Sequence, residues 1–316
     1  MNRKDFLKSA VVFAAGGFSD LLEMPDSVDL PIVDTHQHLV DFSRFGKGWA
    51  KPPVEGNYGT REYLQAVEGL HVVKAVYMEV AVEPENRHKE ALYALELCGD
   101  DATPTVGAVI AADIYSDQFK SYISQFKGNS CLKGIRVWFK SGESLTDPGI
   151  IRHVRYLGEI GLRLDFVVPP AWFPQMLRLI EACPDTWFQA DHCVNGDPRA
   201  FFEYDPGLAK PAHSREEWLR GAEKIAARRN VVCKISGIVS RLPGLTPDAR
   251  NLRPIVDMCY ELFGPDRVMF AGDWPWCLKG TSLAGWVEIL KEIVRDRPLV
   301  DQKKLFHDNA IRHYQL

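Results

Sequence analysis

The sequence has no cysteine pair with C-x-x-C spacing, although its 316 residues include seven cysteines. The spacing that marks zinc knuckles and dithiol redox sites is therefore missing. The cysteines are scattered and odd in number, and several stand beside apolar residues, so a disulfide framework is not expected. We expect most of them to be small residues of the core.

Long apolar runs and an excess of positive charge are also missing. No stretch is long and apolar enough to cross a membrane as a helix. The chain carries 38 Lys and Arg against 42 Asp and Glu, a formal net charge of -4, whereas general nucleic-acid binders present a basic face. We therefore expect no transmembrane segment and no nucleic-acid partner. A small-molecule substrate, held by a few local cations where it is anionic, remains compatible with this charge.

The first residues resemble an export signal. Residues 2–8 are similar to the twin-arginine motif, with Lys4 in place of the second arginine, and a short apolar run follows at 10–15. No clear A-x-A cleavage site follows this run, and a plain amphipathic helix would have the same pattern. Residues 1–30 are expected to be a leader or signal-like segment. The sequence leaves open both a periplasmic location and a cytoplasmic one.

From residue 31 onward, short apolar segments alternate with segments of helical periodicity. The apolar segments are rich in β-branched residues, as buried parallel strands are. The predicted strands are 32–38, 74–82, 105–111, 132–139, 164–168, 187–192, 231–236 and 268–273. The predicted helices are 61–67, 86–97, 118–126, 150–160, 172–182, 215–227, 254–263, 283–294 and 302–314.

Eight strands, each followed by a helix, predict a (β/α)8 TIM barrel formed by residues 31–316. A doubly wound sheet is the alternative, but it would need fewer strands or a break into a second domain. No linker, repeat or low-complexity segment supplies such a break. Two irregular stretches that follow strands, 46–59 and 193–214, are expected to be walls or lids of the active-site face.

Polar residues stand at the ends of these apolar strands, where the catalytic groups of such barrels lie. His36 and His38 are two residues apart, so they share one face of the first strand. Two imidazoles there can bind a metal or polarise a substrate oxygen. Later strands contribute Arg136, Asp191, His192, Lys234, Ser236, Asp273, Trp274 and Trp276.

Together these motifs resemble the amidohydrolase superfamily. Residues 34–38 are similar to its H-x-H signature, and residues 270–275 are similar to its last-strand aspartate segment. Residues 190–192, 232–237 and 308–314 resemble the amidohydrolase 2 branch, which includes sugar-acid lactonases and the pyrone dicarboxylate lactonase. The resemblance covers about residues 31 to 316 and implies a metal-dependent-hydrolase-like barrel with hydrolase activity.

The sequence departs from the metalloenzymes of this superfamily at the fifth strand. Those enzymes usually end that strand with a metal-binding histidine, whereas residues 165–170 contain none. Lys133 stands too early in its strand to replace a bridging carboxylated lysine, so a two-metal site is not expected. The resemblance leaves open one divalent ion, zinc or manganese, on His36, His38, His192 and Asp273, or catalysis without metal.

The expected reaction is hydrolysis of a cyclic ester, a sugar-acid or related lactone, by water at the mouth of the barrel. Ester hydrolysis needs an activated water and a stabilised oxyanion. Asp273 is the expected general base. Three histidines are expected to polarise the carbonyl, directly or through one ion: His36, His38 and His192. Asp34 is expected to orient the first-strand histidines.

Arg136 and Lys234 are expected to hold substrate oxygens, because cations form charge-assisted hydrogen bonds. Trp274 and Trp276 are the expected aromatic walls of the site. Buried cations need partners, so pairing of Arg136 and Lys234 with internal carboxylates is the alternative for these two residues.

Two other functions stay open. The first is a metal-dependent non-oxidative decarboxylase of the same branch, against which the missing fifth-strand histidine counts. The second is a catalytically inactive barrel that binds a ligand, since a fold survives the loss of activity. The intact H-x-H pair, together with His192 and Asp273, favours an enzyme.

Overall fold

Eight parallel strands follow one another in chain order around a single sheet. The computed structural model describes residues 29–45, 56–202, 207 and 209–316, so most of the predicted leader lies outside it. The strands are β1 (Ile32–Gln37), β2 (Val72–Met78), β3 (Thr105–Ala111), β4 (Leu132–Val137), β5 (Arg163–Phe166), β6 (Phe188–Ala190), β7 (Val231–Ile235) and β8 (Val268–Phe270).

The sheet closes between β1 and β8. The Thr35 hydroxyl donates to the Phe270 carbonyl at 2.6 Å. At the end of β1 and beyond the end of β8, Gln37 forms a parallel bridge with Trp274, and the His38 amide donates to the Trp274 carbonyl at 2.8 Å. The predicted (β/α)8 barrel is confirmed.

Helices surround the strands and pack on them through apolar stripes. Pro148–Glu159, for example, buries Ile150, Val154 and Leu157 at helical spacing. Within the described ranges, no helix is both long and apolar enough to span a membrane. The helices are Phe42–Phe45, Thr60–Ala66, Arg87–Leu97, Phe119–Ser124, Pro148–Glu159, Phe173–Ala182, Arg215–Ala226, Ala249–Phe263, Leu283–Val294, Leu299–Lys303 and Asn309–Tyr314.

The predicted helix start that differs most from the structure is that at Pro254. The helix expected to start at Pro254 begins at Ala249, with Pro254 inside it. The Asp248 side chain caps the true start by accepting the Asn251 amide at 2.7 Å. The start of this helix is therefore marked by the aspartate cap and not by the proline. Pro254 lies five residues after Ala249, beyond the first turn in which proline is tolerated best.

The inside of the barrel has its own apolar layer. Alternate residues of the strands form a cluster separate from the larger core between strands and helices. This placement follows from the two-residue period of strands, which sends neighbouring side chains to opposite faces. The inner cluster consists of Val33, Val76, Met78, Val109, Val232, Met269, Ala310 and Tyr314.

Asp34 joins the two ends of the sheet. Its Oδ1 accepts the Gly272 amide at 2.7 Å and the His36 amide at 3.1 Å. Its Oδ2 accepts the Tyr63 hydroxyl at 2.9 Å. Any Cβ at position 272 would lie 2.5 Å from this carboxylate, so only glycine permits the approach. Asp34 thus fixes the backbone of His36, in agreement with its expected orienting role.

We expect Asp34→Ala to lower the free energy of unfolding by about 3 kcal/mol, because it strands a buried amide and a buried hydroxyl. Denaturant unfolding of the purified protein measures this. Asp147→Ala is the matched control, since Asp147 accepts two backbone amides at an exposed helix start and should contribute only about 1 kcal/mol. Equal losses in the two variants would contradict the role of Asp34 at the seam.

Candidate active site

Asp273 lies among three imidazoles at the carboxyl end of the barrel. Its Oδ1 is 3.7 Å from the Nε2 atoms of His36 and His38, and its Oδ2 is 3.9 Å from Nδ1 of His192. The Nε2 atoms of His36 and His38 are 3.1 Å apart. All four side chains are buried. The structure therefore brings together the four residues expected to be catalytic or metal-binding.

His192 reaches this position through a left-handed turn. The predicted sixth strand, 187–192, ends at Ala190, and four consecutive residues then have φ between 53° and 56°, namely His192, Cys193, Val194 and Asn195. Each such residue destabilises the backbone by roughly 1–2 kcal/mol. Strain of this kind persists only where the surroundings hold it.

Neighbouring side chains hold the turn. The Trp218 indole N–H donates to the carbonyls of Cys193 and Val194 at 3.2 and 3.1 Å. Arg241 donates to the Gly196 carbonyl at 2.9 Å and to Oδ1 of Asn195 at 2.7 Å. The backbone is thus fixed from two sides.

The ring of His192 is positioned by the end of β7. Its Nδ1 lies 3.0 Å from the Ser236 hydroxyl. The ring packs so closely on Gly237 that a Cβ there would come within 2.5 Å of it. The hydrogen-bond partner of the His192 side chain is therefore Ser236 at the end of β7.

Hydrogen bonds define the protonation of the first-strand histidines. Nδ1 of His38 faces the Glu79 carbonyl at 2.9 Å, so a neutral His38 carries its proton on Nδ1. Its Nε2 lone pair then faces His36. Nζ of Lys234 lies 3.4 Å from Nδ1 of His36, and Oδ1 of Asp191 lies 3.6 Å from the same nitrogen. With Lys234 donating to Nδ1, a neutral His36 carries its proton on Nε2 and donates it to His38.

A layer of ion pairs lies beneath the imidazoles. The Lys234 ammonium is buried and contacts Asp165, with Oδ1 of Asp191 at 3.2 Å. The Arg136 guanidinium places Nη1 at 3.2 Å from Oε1 of Glu79 and Nε at 3.4 Å from Oδ2 of Asp191. These contacts match the alternative of pairing with internal carboxylates.

Sequence reasoning assigned no role to Glu79 or Asp165. The signal for Asp165 was present, because one carboxylate interrupts an otherwise apolar strand and a buried carboxylate needs a partner. Lys133, judged too deep for the site, donates to the Gln315 carbonyl at the opposite end of the barrel.

The aromatic residues differ in exposure. Trp274 is 2% exposed and packs against the rings of Tyr58 and Tyr63. Trp276 is half-buried, with the Lys279 ammonium 4.2 Å from its ring centre. Trp138, which follows β4, is 56% exposed. Its indole N–H donates to Oε1 of Glu79 at 3.2 Å, and the Arg136 guanidinium stacks 4.5 Å from its ring.

Burial and neighbouring charge keep the rings of His36 and His192 neutral. Burial lowers the pKa of His192 to about 3. Burial, with the nearby Lys234 ammonium, lowers the pKa of His36 well below its ordinary value. Burial alone would raise the pKa of Asp273, but His192, His38 and Arg136 more than offset this and lower it. At neutral pH the site therefore contains an ionised Asp273 beside neutral His36 and His192.

Three of these residues could hold a metal ion. His36, His192 and Asp273 each offer one ligand atom, and these atoms lie within 4.8 Å of one another. Oδ2 of Asp273 is buried and makes no hydrogen bond to any described residue, which fits an oxygen that can serve as a metal ligand. Two imidazoles and a carboxylate suit zinc. His38 lies beside this group.

A family model described as Amidohydrolase matches residues 33–316. The chain belongs to the amidohydrolase family. Family membership confirms the resemblance found in the sequence and the expected hydrolase. The two stretches predicted to form walls of this amidohydrolase's active-site face are 46–59 and 193–214. Within them, residues 46–55, 203–206 and 208 lie outside the described structure.

Named relatives match this chain over more than half of its length. An L-fucono-1,5-lactonase of Burkholderia multivorans is 25% identical over 297 residues, covering 90% of this chain and 96% of that protein. An L-rhamnono-gamma-lactonase of Scheffersomyces stipitis is 24% identical and covers 58% of this chain and 59% of that protein. A crystal structure of a Burkholderia multivorans amidohydrolase with bound zinc superposes with a TM-score of 0.76 at 23% identity, covering 90% and 99% of the two chains.

We expect His192 to remain neutral from about pH 8 to about pH 5, because burial places its pKa near 3. Imidazole nitrogen NMR, assigned with His192→Gln, measures this. Since the unfolded chain takes up the proton near pH 6.5, the neutral ring also makes stability fall as the pH drops below that value. A His192 signal titrating near the ordinary histidine pKa would contradict the neutral site.

Proposed function

We propose that this amidohydrolase opens lactones of sugar acids by attack of water at the mouth of the barrel. The observation that carries the proposal is Asp273, ionised at the end of the last strand, with Oδ2 lacking a hydrogen-bond partner among the described residues. A water donating to this oxygen would be held next to three imidazoles. A positioned carboxylate of this kind is the general base that ester hydrolysis requires.

The proton balance uses Asp273 twice. As water attacks the lactone carbonyl, its proton passes to Asp273. When the ring C–O bond breaks, the departing oxygen takes that proton back, and the open hydroxy acid leaves. Because the same carboxylate accepts and returns one proton, the enzyme is regenerated without a further co-reactant.

His192 is suited to stabilise the oxyanion that exists after water attacks the carbonyl and before the ring C–O bond breaks. Its Nδ1 faces the Ser236 hydroxyl at 3.0 Å. With Ser236 donating to Nδ1, a neutral His192 carries its proton on Nε2 and can donate it to the carbonyl oxygen. Donors already fixed before the reaction stabilise an oxyanion most effectively. The ring's low pKa keeps it neutral during this step.

Arg136 and Trp138 suit the hydroxyl-bearing part of the substrate. Among the contacts of described residues, Nη2 of Arg136 makes no hydrogen bond, so it can donate to a substrate oxygen. Trp138 offers an exposed ring whose indole N–H is already fixed by Glu79. Flat apolar ring faces suit the C–H face of a sugar ring. Lys234 has only protein partners, and we assign it no substrate contact.

His36, His192 and Asp273 would hold a divalent ion where one binds, and such an ion would supply Lewis-acid polarisation of an ester oxygen. We propose that this ion is optional. Ligation through Asp273 would lower its basicity, and the His36–His38 hydrogen bond is complete without a metal.

The names of the relatives support the substrate class. The two lactonases named above act, by their names, on a 1,5-lactone and a gamma-lactone of sugar acids. The first covers nearly the whole chain. A panel for this protein should therefore contain sugar lactones of both ring sizes, with acid release followed by a pH indicator. No acid release above the uncatalysed rate from any lactone would refute the proposal.

We expect Asp273→Asn to reduce kcat on a turned-over lactone by roughly a hundredfold or more, since it keeps the shape but removes the base. The matched control is Asp266→Asn, because Asp266 pairs with Lys304 at the opposite end of the barrel. The control should keep wild-type kcat. An Asp273→Asn variant that retains near wild-type turnover would remove Asp273 from the mechanism.

We expect lactone hydrolysis to survive complete chelation, because the base and the oxyanion donor belong to the protein. The protein is treated with chelator, its metal content is checked by elemental analysis, and kcat is compared before and after treatment. Loss of activity that zinc or manganese restores would show that the ion is required.

A further inference from the structure

A line of buried polar contacts runs down the inside of the barrel from the imidazoles to the helix Asn309–Tyr314. His36 contacts Lys234, Lys234 contacts Asp165, and the Tyr314 hydroxyl donates to Oδ1 of Asp165 at 2.9 Å. Every residue in this line is buried. The active site is therefore connected by direct contacts to the opposite end of the barrel.

Contacts at the end of the barrel opposite the imidazoles fix Tyr314 in place. Its ring belongs to the inner apolar cluster. Around it, Arg163 donates to the His313 carbonyl at 2.6 Å and Lys133 donates to the Gln315 carbonyl at 2.8 Å. Asn309 donates to the Val268 carbonyl at 2.7 Å. Three strands thus hold the segment that carries Tyr314, and its hydroxyl has a defined position.

The hydroxyl determines which oxygen of Asp165 meets Lys234. Oδ1 accepts from both Tyr314 and Lys234. Oδ2 is buried and has no hydrogen-bond partner among the residues described. Without the Tyr314 hydroxyl, residue 314 would no longer hold one particular oxygen of Asp165. The carboxyl group could then rotate, and the oxygen that accepts from the Lys234 ammonium would move.

Lys234 transmits that position to the site. An ammonium has three N–H donors, and here they face Asp165, Asp191 at 3.2 Å and His36 at 3.4 Å. Its position therefore determines where Nδ1 of His36 receives a donor, and so which His36 nitrogen carries the proton. Asp191 in turn lies 3.4 Å from Arg136.

We propose that Tyr314 is a positioning residue of the active site, which acts through Asp165 on Lys234 and thereby on His36. The kinetic part of this proposal rests on the proposed lactone hydrolysis. Its structural part, the fixed position of the Lys234 ammonium, does not.

The proposal has a pH signature. The pKa of Asp165 is raised to about 6, because burial and the charge of Asp191 together outweigh the lowering by the charge and hydrogen bond of Lys234 and by the hydrogen bond of Tyr314. Arg163 also interacts with the carboxylate. Loss of the Tyr314 hydroxyl removes a lowering contribution, so the pKa of Asp165 rises. Protonation would then release Lys234 at a higher pH than in the wild type.

The test compares Tyr314→Phe with Tyr260→Phe. Tyr260 is a matched control, because it is buried and its hydroxyl has no hydrogen-bond partner in the described part of the chain. For Tyr314→Phe we expect kcat to fall about tenfold, as for loss of a hydrogen bond to a charged group, with KM changed by less than about twofold. The acidic limb of its kcat profile should move to higher pH. Tyr260→Phe should match the wild type.

A second measurement needs no substrate. A buried, fixed ammonium gives a slowly exchanging 1H–15N signal, which can be assigned through its contacts with the His36 ring. This signal should persist in Tyr260→Phe and shift or disappear in Tyr314→Phe. If the wild type opens no lactone, the proposed function fails and this comparison alone decides the positioning role. An unchanged ammonium signal in Tyr314→Phe, or equal kinetic effects of the two substitutions, would overturn the inference.

Discussion

The arrangement of side chains at the carboxyl end of the barrel depends on one buried ammonium, that of Lys234. Transferring an ammonium from water into a barrel interior is strongly unfavourable unless its charge and its three donors are satisfied. Asp165 and His36 accept hydrogen bonds from it, and Asp191 adds an ion pair, each from a different strand end. The same contacts set the protonation of His36, so the interaction that makes the charge tolerable also arranges the site.

Two local features of the backbone bring the candidate catalytic groups close to that ammonium. Asp34 ties Gly272 to β1, which places Asp273 beside the first-strand histidines. The left-handed turn after β6 then carries His192 to the other side of Asp273. Both features are unfavourable in isolation, since one buries a carboxylate and the other strains the chain. Both are offset by hydrogen bonds that the neighbouring strands and loops provide.

The elements that could be predicted from the sequence are those with a local pattern. His36 and His38 follow from the two-residue period of a strand, and Asp273 follows from its position after an apolar strand. The left-handed turn has no such pattern, because Trp218 and Arg241, which hold it, lie far along the chain. The contact of Tyr314 with Asp165 joins residues 149 positions apart, and only the closed barrel brings them together.

The balance of charge explains why the site suits both a divalent ion and the proposed use of Asp273 as the base. Glu79, Asp165 and Asp191 form ion pairs there with Arg136 and Lys234, whereas Asp273 lies among the three imidazoles. The surplus negative charge favours a divalent cation beside Asp273. That cation would occupy Oδ2, the one oxygen of Asp273 that makes no hydrogen bond within the described structure. Under the proposed mechanism, an ion and the attacking water would compete for one carboxylate oxygen, so binding a metal more tightly would not by itself make the enzyme faster.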